Sequence, residues 1–149
     1  MKSVTDIKKI AKNAVALELA AIAKLDCSID DNFVRAIQLI LNSTGRLIVS
    51  GVGKSANIAN KLVATFNSTG QPSLFLHAAD AIHGDLGNIQ HNDMVIFISK
   101  SGNTEEVKVL VPFIKKMGNK IIALTGNTKS FLAIESDVVL DVGVDQEAC

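Results

Sequence analysis

The chain has 149 residues, 48% of them apolar and 20% charged, and its fifteen basic side chains cancel fifteen acidic ones. That length fits one domain burying roughly 70% of its unfolded surface, and the composition excludes a disordered polymer. Charge neutrality and the lack of Trp and Tyr argue against nucleic acid, and no run of apolar residues is long enough for a membrane span. In chain order, the first 44 residues read as helix. Val4, Ile7, Ile10, Ala11, Ala14 and Leu17 keep helical spacing, with Ser3 as N-cap and Asp6 in the capping-box position. Over residues 14–23 only Glu18 is polar. A helix apolar nearly all round needs cover on more than one side, so a partner subunit is expected, with a central core helix as the plainer alternative. A second helix spans 29–41, capped by Ser28 or Asp30 and stopped over 42–45.

From Arg46 the pattern alternates. Apolar strands are predicted over 47–49, 74–76, 94–98, 120–124 and 138–140, and helices over 56–66, 104–117 and 129–134. Unbroken apolar strands imply a sheet covered on both faces, and the alternation implies parallel βαβ units. The expected fold is α/β: a three-layer α/β/α sandwich on a five-stranded parallel sheet, flavodoxin-like, with N-terminal helices over 1–44 and the α/β core over 45–149. Cys27 and Cys149 make no disulfide framework, and residues 1–12 lack a signal peptide's apolar core, so a soluble, cytoplasmic protein is expected.

Ligands of such sheets bind beyond the carboxyl ends of the strands. The residues there are Ser50 to Ser55 after the first strand, then His77, Asp80, His83, Gly84 and Asp85 after the second. Ser99 to Glu106 follow the third, Thr125 to Thr128 the fourth, and Asp141, Asp145 and Glu147 the fifth. Hydroxyls, glycines, histidines and carboxylates on one edge suit a polar ligand. The turn from Ser99 to Thr104 leads into a helix whose free N–H groups, with the hydroxyls of Ser99, Ser101 and Thr104, suit phosphate. Gly102 would let the anion approach the backbone. The plainer reading is a helix capped by Thr104 or Ser101, with Glu105 and Glu106 favouring its dipole.

The Gly-Lys-Ser at 53–55 lacks the earlier glycine of a P-loop, whose place is taken by Ile48. Gly51-x-Gly53-x-x-Ala56 matches a loose dinucleotide fingerprint, but His77 stands where the ribose-binding acid is expected. Lys54 is better placed to stabilise anionic charge on a substrate or intermediate. His77 and His83 alone do not make a metal site, and His91 lies in a polar turn.

Three segments together resemble the sugar isomerase (SIS) domain: Ser50-Gly51-Val52-Gly53-Lys54-Ser55, His77-x-x-x-Ala81-x-His83-Gly84-Asp85-Leu86-Gly87, and Ile98-Ser99-x-Ser101-Gly102-x-Thr104-x-Glu106. The closer similarity is to its D-arabinose 5-phosphate isomerases, and it extends to Asp145-x-Glu147-Ala148-Cys149. It implies interconversion of D-ribulose 5-phosphate and D-arabinose 5-phosphate, a precursor of the lipopolysaccharide sugar Kdo or of capsule. It implies catalytic positions at Lys54, Glu106 and Glu147, with His83 also touching substrate. Substrate- and phosphate-binding positions would be Ser50, Gly51, Ser55, Gly70, Gln71, His77, His83, Ser99, Ser101, Gly102 and Thr104. No cofactor is required; His77 is the position that can bind inhibitory zinc. The partners implied are a pentose 5-phosphate and further copies of the chain, as tetramer or dimer. The chemistry agrees: aldose–ketose isomerisation passes through an enediolate and needs a base plus a cation or donors at the oxygen. Glu106 and Glu147 both remain open as the base.

The resemblance also implies a further helix beyond Cys149, carrying another catalytic histidine, and in many relatives two CBS modules. An isolated domain without them is the expectation for these 149 residues, with an apolar strip left uncovered. Ala78 and Asp80 depart from the Pro and Glu common in relatives. The alternatives are a sugar-phosphate sensing module without catalysis and an SIS isomerase for another sugar phosphate.

Overall fold

The computed structural model describes residues 4–147. Its elements are helices α1 (Val4–Lys24) and α2 (Asp31–Leu41), strand β1 (Leu47–Gly51), α3 (Lys54–Ser68), β2 (Ser73–His77), α4 (Ala78–Ile82), β3 (Met94–Ile98), α5 (Glu105–Lys116), β4 (Lys120–Thr125), α6 (Phe131–Glu135) and β5 (Val138–Asp141). Single 3-10 turns cover Leu25–Ser28 and Asp85–Asn88. The five strands form one sheet in the order β2-β1-β3-β4-β5, and every pairing is parallel. Val49 pairs with Phe75 on one side and Ile96 on the other; Ile96 pairs with Ile122, and Leu124 with Leu140.

Strand alternation divides the core in two. Ile48, Val95, Phe97, Ile121 and Ala123 face one layer, packed against Val107, Leu110, Val111 and Ile114 of α5 and Leu132 of α6. Leu47, Val49, Met94, Ile96 and Ile122 face the other, packed against Ala36 of α2 and Ala59 of α3. The central strands β1 and β3 are buried throughout, which accounts for their unbroken apolar runs. The three-layer α/β/α arrangement is therefore the expected one.

At the amino edge, Asp93 ties the entries of β1 and β3 together. Its carboxylate accepts from the Arg46 backbone N–H (2.8 Å), from Arg46 Nη2 (2.7 Å) and from the Gln90 N–H (2.9 Å). Burial works to raise the Asp93 pKa, but these hydrogen bonds and the guanidinium charge outweigh it and hold it below the usual carboxylate value.

Asp30, of the two candidates, caps α2, accepting from the Phe33 N–H at 3.0 Å. The cap expected at Ser3 lies outside the described residues. The core-helix alternative for α1 is overturned. No residue of α1 is buried, and Val4, Ile7, Ile10, Val15, Leu17, Leu19 and Ile22 are 36% to 70% exposed. The short helix α4 and the turn after it are additional to the sequence reading. One turn of helix is too short to display a period.

Candidate active site at the carboxyl edge of the sheet

The chain leaves β1 and β3 towards opposite faces of the sheet, so the loops after these neighbouring strands part and open a crevice. After β1, Gly53 takes φ +55° and turns the chain into α3, whose first residue is Lys54. Gly51 is closely packed: a Cβ there would lie 3.1 Å from the Ile98 carbonyl and from Ser55.

The turn after β3 is fixed by its own hydrogen bonds. Ser99 and Thr104 hydroxyls meet at 2.6 Å, the Gly102 N–H donates to Ser99 Oγ at 3.1 Å, and the Asn103 N–H donates to Ser101 Oγ at 3.2 Å. Thr104 stands at the N-cap of α5 without capping it through its side chain. Of the two cap candidates Thr104 is therefore the N-cap by position and Ser101 is not, but no capping side chain takes up the donors at the start of this twelve-residue helix.

The loop after β4 supports that turn from below. Gly126 N–H and Thr125 Oγ1 both donate to the Lys100 carbonyl, at 3.0 and 3.3 Å. After β5 the chain crosses back over this loop. The Val142 N–H donates to the Thr125 carbonyl at 3.0 Å, and Gly126 packs on Gly143. Two ion pairs hold the crossing segment: Asp145 with Lys24 of α1, and Glu147 with Lys100. Hydrogen bonding and charge from Lys24 hold the Asp145 carboxyl below its usual value.

These loops enclose a cleft of about 700 Å³, lined by Val52, Ser55, Ile98, Ser99, Lys100, Ser101, Thr104, Leu124, Gly126, Val142, Gly143, Val144 and Glu147. Five of the residues expected in a site are on its wall: Ser55, Ser99, Ser101, Thr104 and Glu147. Lys54, exposed, adjoins it at the start of α3, and half-buried Glu106 lies in the first turn of α5 without lining it. His77 and His83 flank α4 beside the edge strand β2, also off the wall.

Four expected contacts need correction. Ser50 is fully buried beneath the site and its hydroxyl has no hydrogen-bond partner, because it belongs to the central strand rather than the turn. Gly70 and Gln71 precede β2 and so lie at the amino end of the sheet, opposite the cleft; Gly70, at φ +92°, ends α3, and Gln71 N–H bonds back to Phe66. Gly102 is a glycine for a reason other than anion approach: at φ +64°, a Cβ would lie 2.0 Å from Ser130 Oγ, and its N–H is already bonded. For zinc, His77 Nδ1 is buried without a hydrogen-bond partner, with Asp80 Oδ2 3.6 Å away. Two donors fall short of a zinc set, and among the described residues no group of three His, Cys, Asp or Glu could hold a metal. Sequence reasoning missed Lys100, whose signal was a cation between the serines of the phosphate-suited turn, and Val142 to Val144, which carry none.

The SIS domain model matches residues 40–149, and the chain belongs to that family. Among its relatives, arabinose 5-phosphate isomerase KdsD of Pseudomonas aeruginosa is 45% identical over 139 residues, covering 93% of this chain and 43% of that protein. KdsD of Francisella tularensis is 47% identical over 136 residues, covering 89% and 42%. The chain thus spans less than half the length of these curated relatives. A solved structure of an E. coli CFT073 protein in complex with arabinose 5-phosphate superposes with TM-score 0.94 at 40% identity, covering 99% of this chain and 79% of that one.

Proposed function

We propose that this domain interconverts D-ribulose 5-phosphate and D-arabinose 5-phosphate. One observation carries the reading: the uncapped start of α5, ringed by Ser99, Ser101 and Thr104, opens into the same cleft as the Glu147 carboxylate. An anion site and a proton acceptor within one sugar's reach are what a phosphosugar isomerase needs. The names of the relatives, and the arabinose 5-phosphate in the similar solved structure, support the same substrate.

In this reading the phosphate rests on the start of α5 and its hydroxyls. Glu147 takes a proton from C1 of the ketose and, after exchange with solvent, delivers one to C2, while the O1 hydroxyl loses its proton and O2 gains one, giving the aldose. It is favoured over Glu106 because it lines the cleft. The Lys54 ammonium stabilises the enediolate oxygen, and His83 orients the sugar's far end. No cofactor or metal enters the reaction. A cytoplasmic enzyme supplying Kdo or capsule precursors, assembled as a dimer or tetramer over the exposed face of α1, completes the proposal. Among the described residues no helix is long and apolar enough to cross a membrane, which accords with that setting.

The test is turnover of D-ribulose 5-phosphate followed by NMR. Lys54→Ala is expected to lower kcat by about 10²–10³-fold and Glu147→Gln by about 10²–10⁴-fold. Full turnover by Lys54→Ala would refute its role. Tight sugar-phosphate binding without turnover would instead support a sensing module.

A further inference from the structure

Among the described residues lining the cleft, Lys100 and Glu147 are the charged ones, and they are paired with each other across it. Their footings differ. The Lys100 carbonyl is fixed by Gly126 and Thr125, in the turn that also presents Ser99 and Ser101. Glu147 rides on an irregular segment anchored two residues earlier by Asp145 on Lys24. The side chains of Lys100 and Glu147 are 70% and 63% exposed, so their pairing is of the weak, exchangeable kind. A phosphate carries about −1.5 to −2 charges and three strong acceptors, against one charge on a carboxylate.

We propose that Lys100 is an anion-exchange residue. Its ammonium leaves Glu147 for the phosphate of the incoming sugar phosphate, so that binding the substrate frees the carboxylate. The exchange rests on the reading of the cleft as a sugar-phosphate site. It assigns to Lys100 a charge that both fixes the phosphate and keeps Glu147 occupied until the phosphate arrives.

Titration calorimetry with inorganic phosphate tests it on the full chain. Lys100→Met is expected to weaken phosphate binding about fivefold or more, and Lys100→Arg to keep most of it. Glu147→Gln removes the competitor and is expected to tighten binding about threefold. In the Lys100→Met background, Glu147→Gln should have no effect. Asp145→Asn removes the same charge from the same segment outside the cleft and should change binding less than twofold. The side chains of Lys100, Asp145 and Glu147 are all exposed in the fold, so each variant is expected to fold, which circular dichroism checks.

Wild-type chain that binds no phosphate overturns the exchange. So does a Glu147→Gln gain that persists without Lys100, or one that Asp145→Asn reproduces. Phosphate binding with the expected pattern but no turnover of D-ribulose 5-phosphate would refute the proposed reaction while leaving the exchange standing. Turnover with phosphate affinity indifferent to Lys100→Met would do the reverse.

Discussion

Asp93 shows how one buried carboxylate can be held in place from several directions. It sits at the amino edge with its side chain fully buried, accepting from Arg46 and Gln90. Asp93→Ala leaves Arg46 and two backbone donors without their acceptor, and is expected to cost about 3 kcal/mol in urea denaturation. The pH dependence follows from the lowered pKa. A carboxylate more acidic in the folded state stabilises it fully above its unfolded value, and that contribution is lost as pH falls through the folded value. Asp137 adds to the effect: burial works to raise its pKa, but Lys120 and the Ile121 N–H prevail and lower it. Stability should therefore fall with pH below about 4, and less steeply in Asp93→Asn. An unchanged slope in that variant would contradict the role given to Asp93. Gly102 is a second residue with a sharp consequence. Gly102→Ala imposes a Cβ at positive φ and against Ser130 and is expected to cost about 2 kcal/mol; adding Ser130→Ala should not recover it, because the Ser130 Cβ would still lie 2.5 Å away and α6 would lose its cap.

At the scale of elements, the start of α5 and the whole of α1 carry the argument. α5 begins without a side-chain cap, whereas α2 has Asp30 and α6 has Ser130. Asp30→Ala should cost about 1 kcal/mol by loss of that cap. Thr104→Ala removes no cap but takes a partner from the buried Ser99 hydroxyl, so it should cost about 1 kcal/mol while weakening inorganic phosphate binding. Unchanged phosphate binding in that variant would show that Thr104 serves the turn rather than a ligand. In α1 the exposed Leu19 and Ile22 belong to a face that needs cover. If a second copy provides it, Leu19→Asp with Ile22→Asp should shift the sedimentation profile to the monomer, with the far-ultraviolet dichroism of the α/β core retained. The elements themselves were largely legible in the sequence. β3 stands where an unbroken apolar run puts it, and the other strands differ only at their ends, where Gly51, His77 and Asp141 continue the hydrogen-bonding ladder as residues with no apolar signature.

At the scale of the molecule, legibility ends where distance along the chain stops predicting distance in space. That the carboxyl edge holds the site follows from the alternation of strands and helices. Which loops meet there depends on strand order, which local pattern does not encode. Glu147 and Ser101 share a cleft because the chain after β5 crosses back over the β4 loop. Gly70 and Gln71 are excluded because they enter β2 instead of leaving it. Ser50 reads as a turn hydroxyl until its strand proves longer, and Lys100 is hidden among serines until its partner is known. An α1 with no buried residue, tied to the site segment through Lys24 and Asp145, also makes cover of that helix and order at the cleft parts of one problem.

The most direct measurement is proton exchange during the reaction itself. Incubated with D-ribulose 5-phosphate in D2O, the chain is expected to yield D-arabinose 5-phosphate carrying deuterium at C2, with the exchange abolished in Glu147→Gln. D-ribulose 5-phosphate recovered unchanged, with no deuterium at C1, would contradict the claim that this cleft performs the isomerisation.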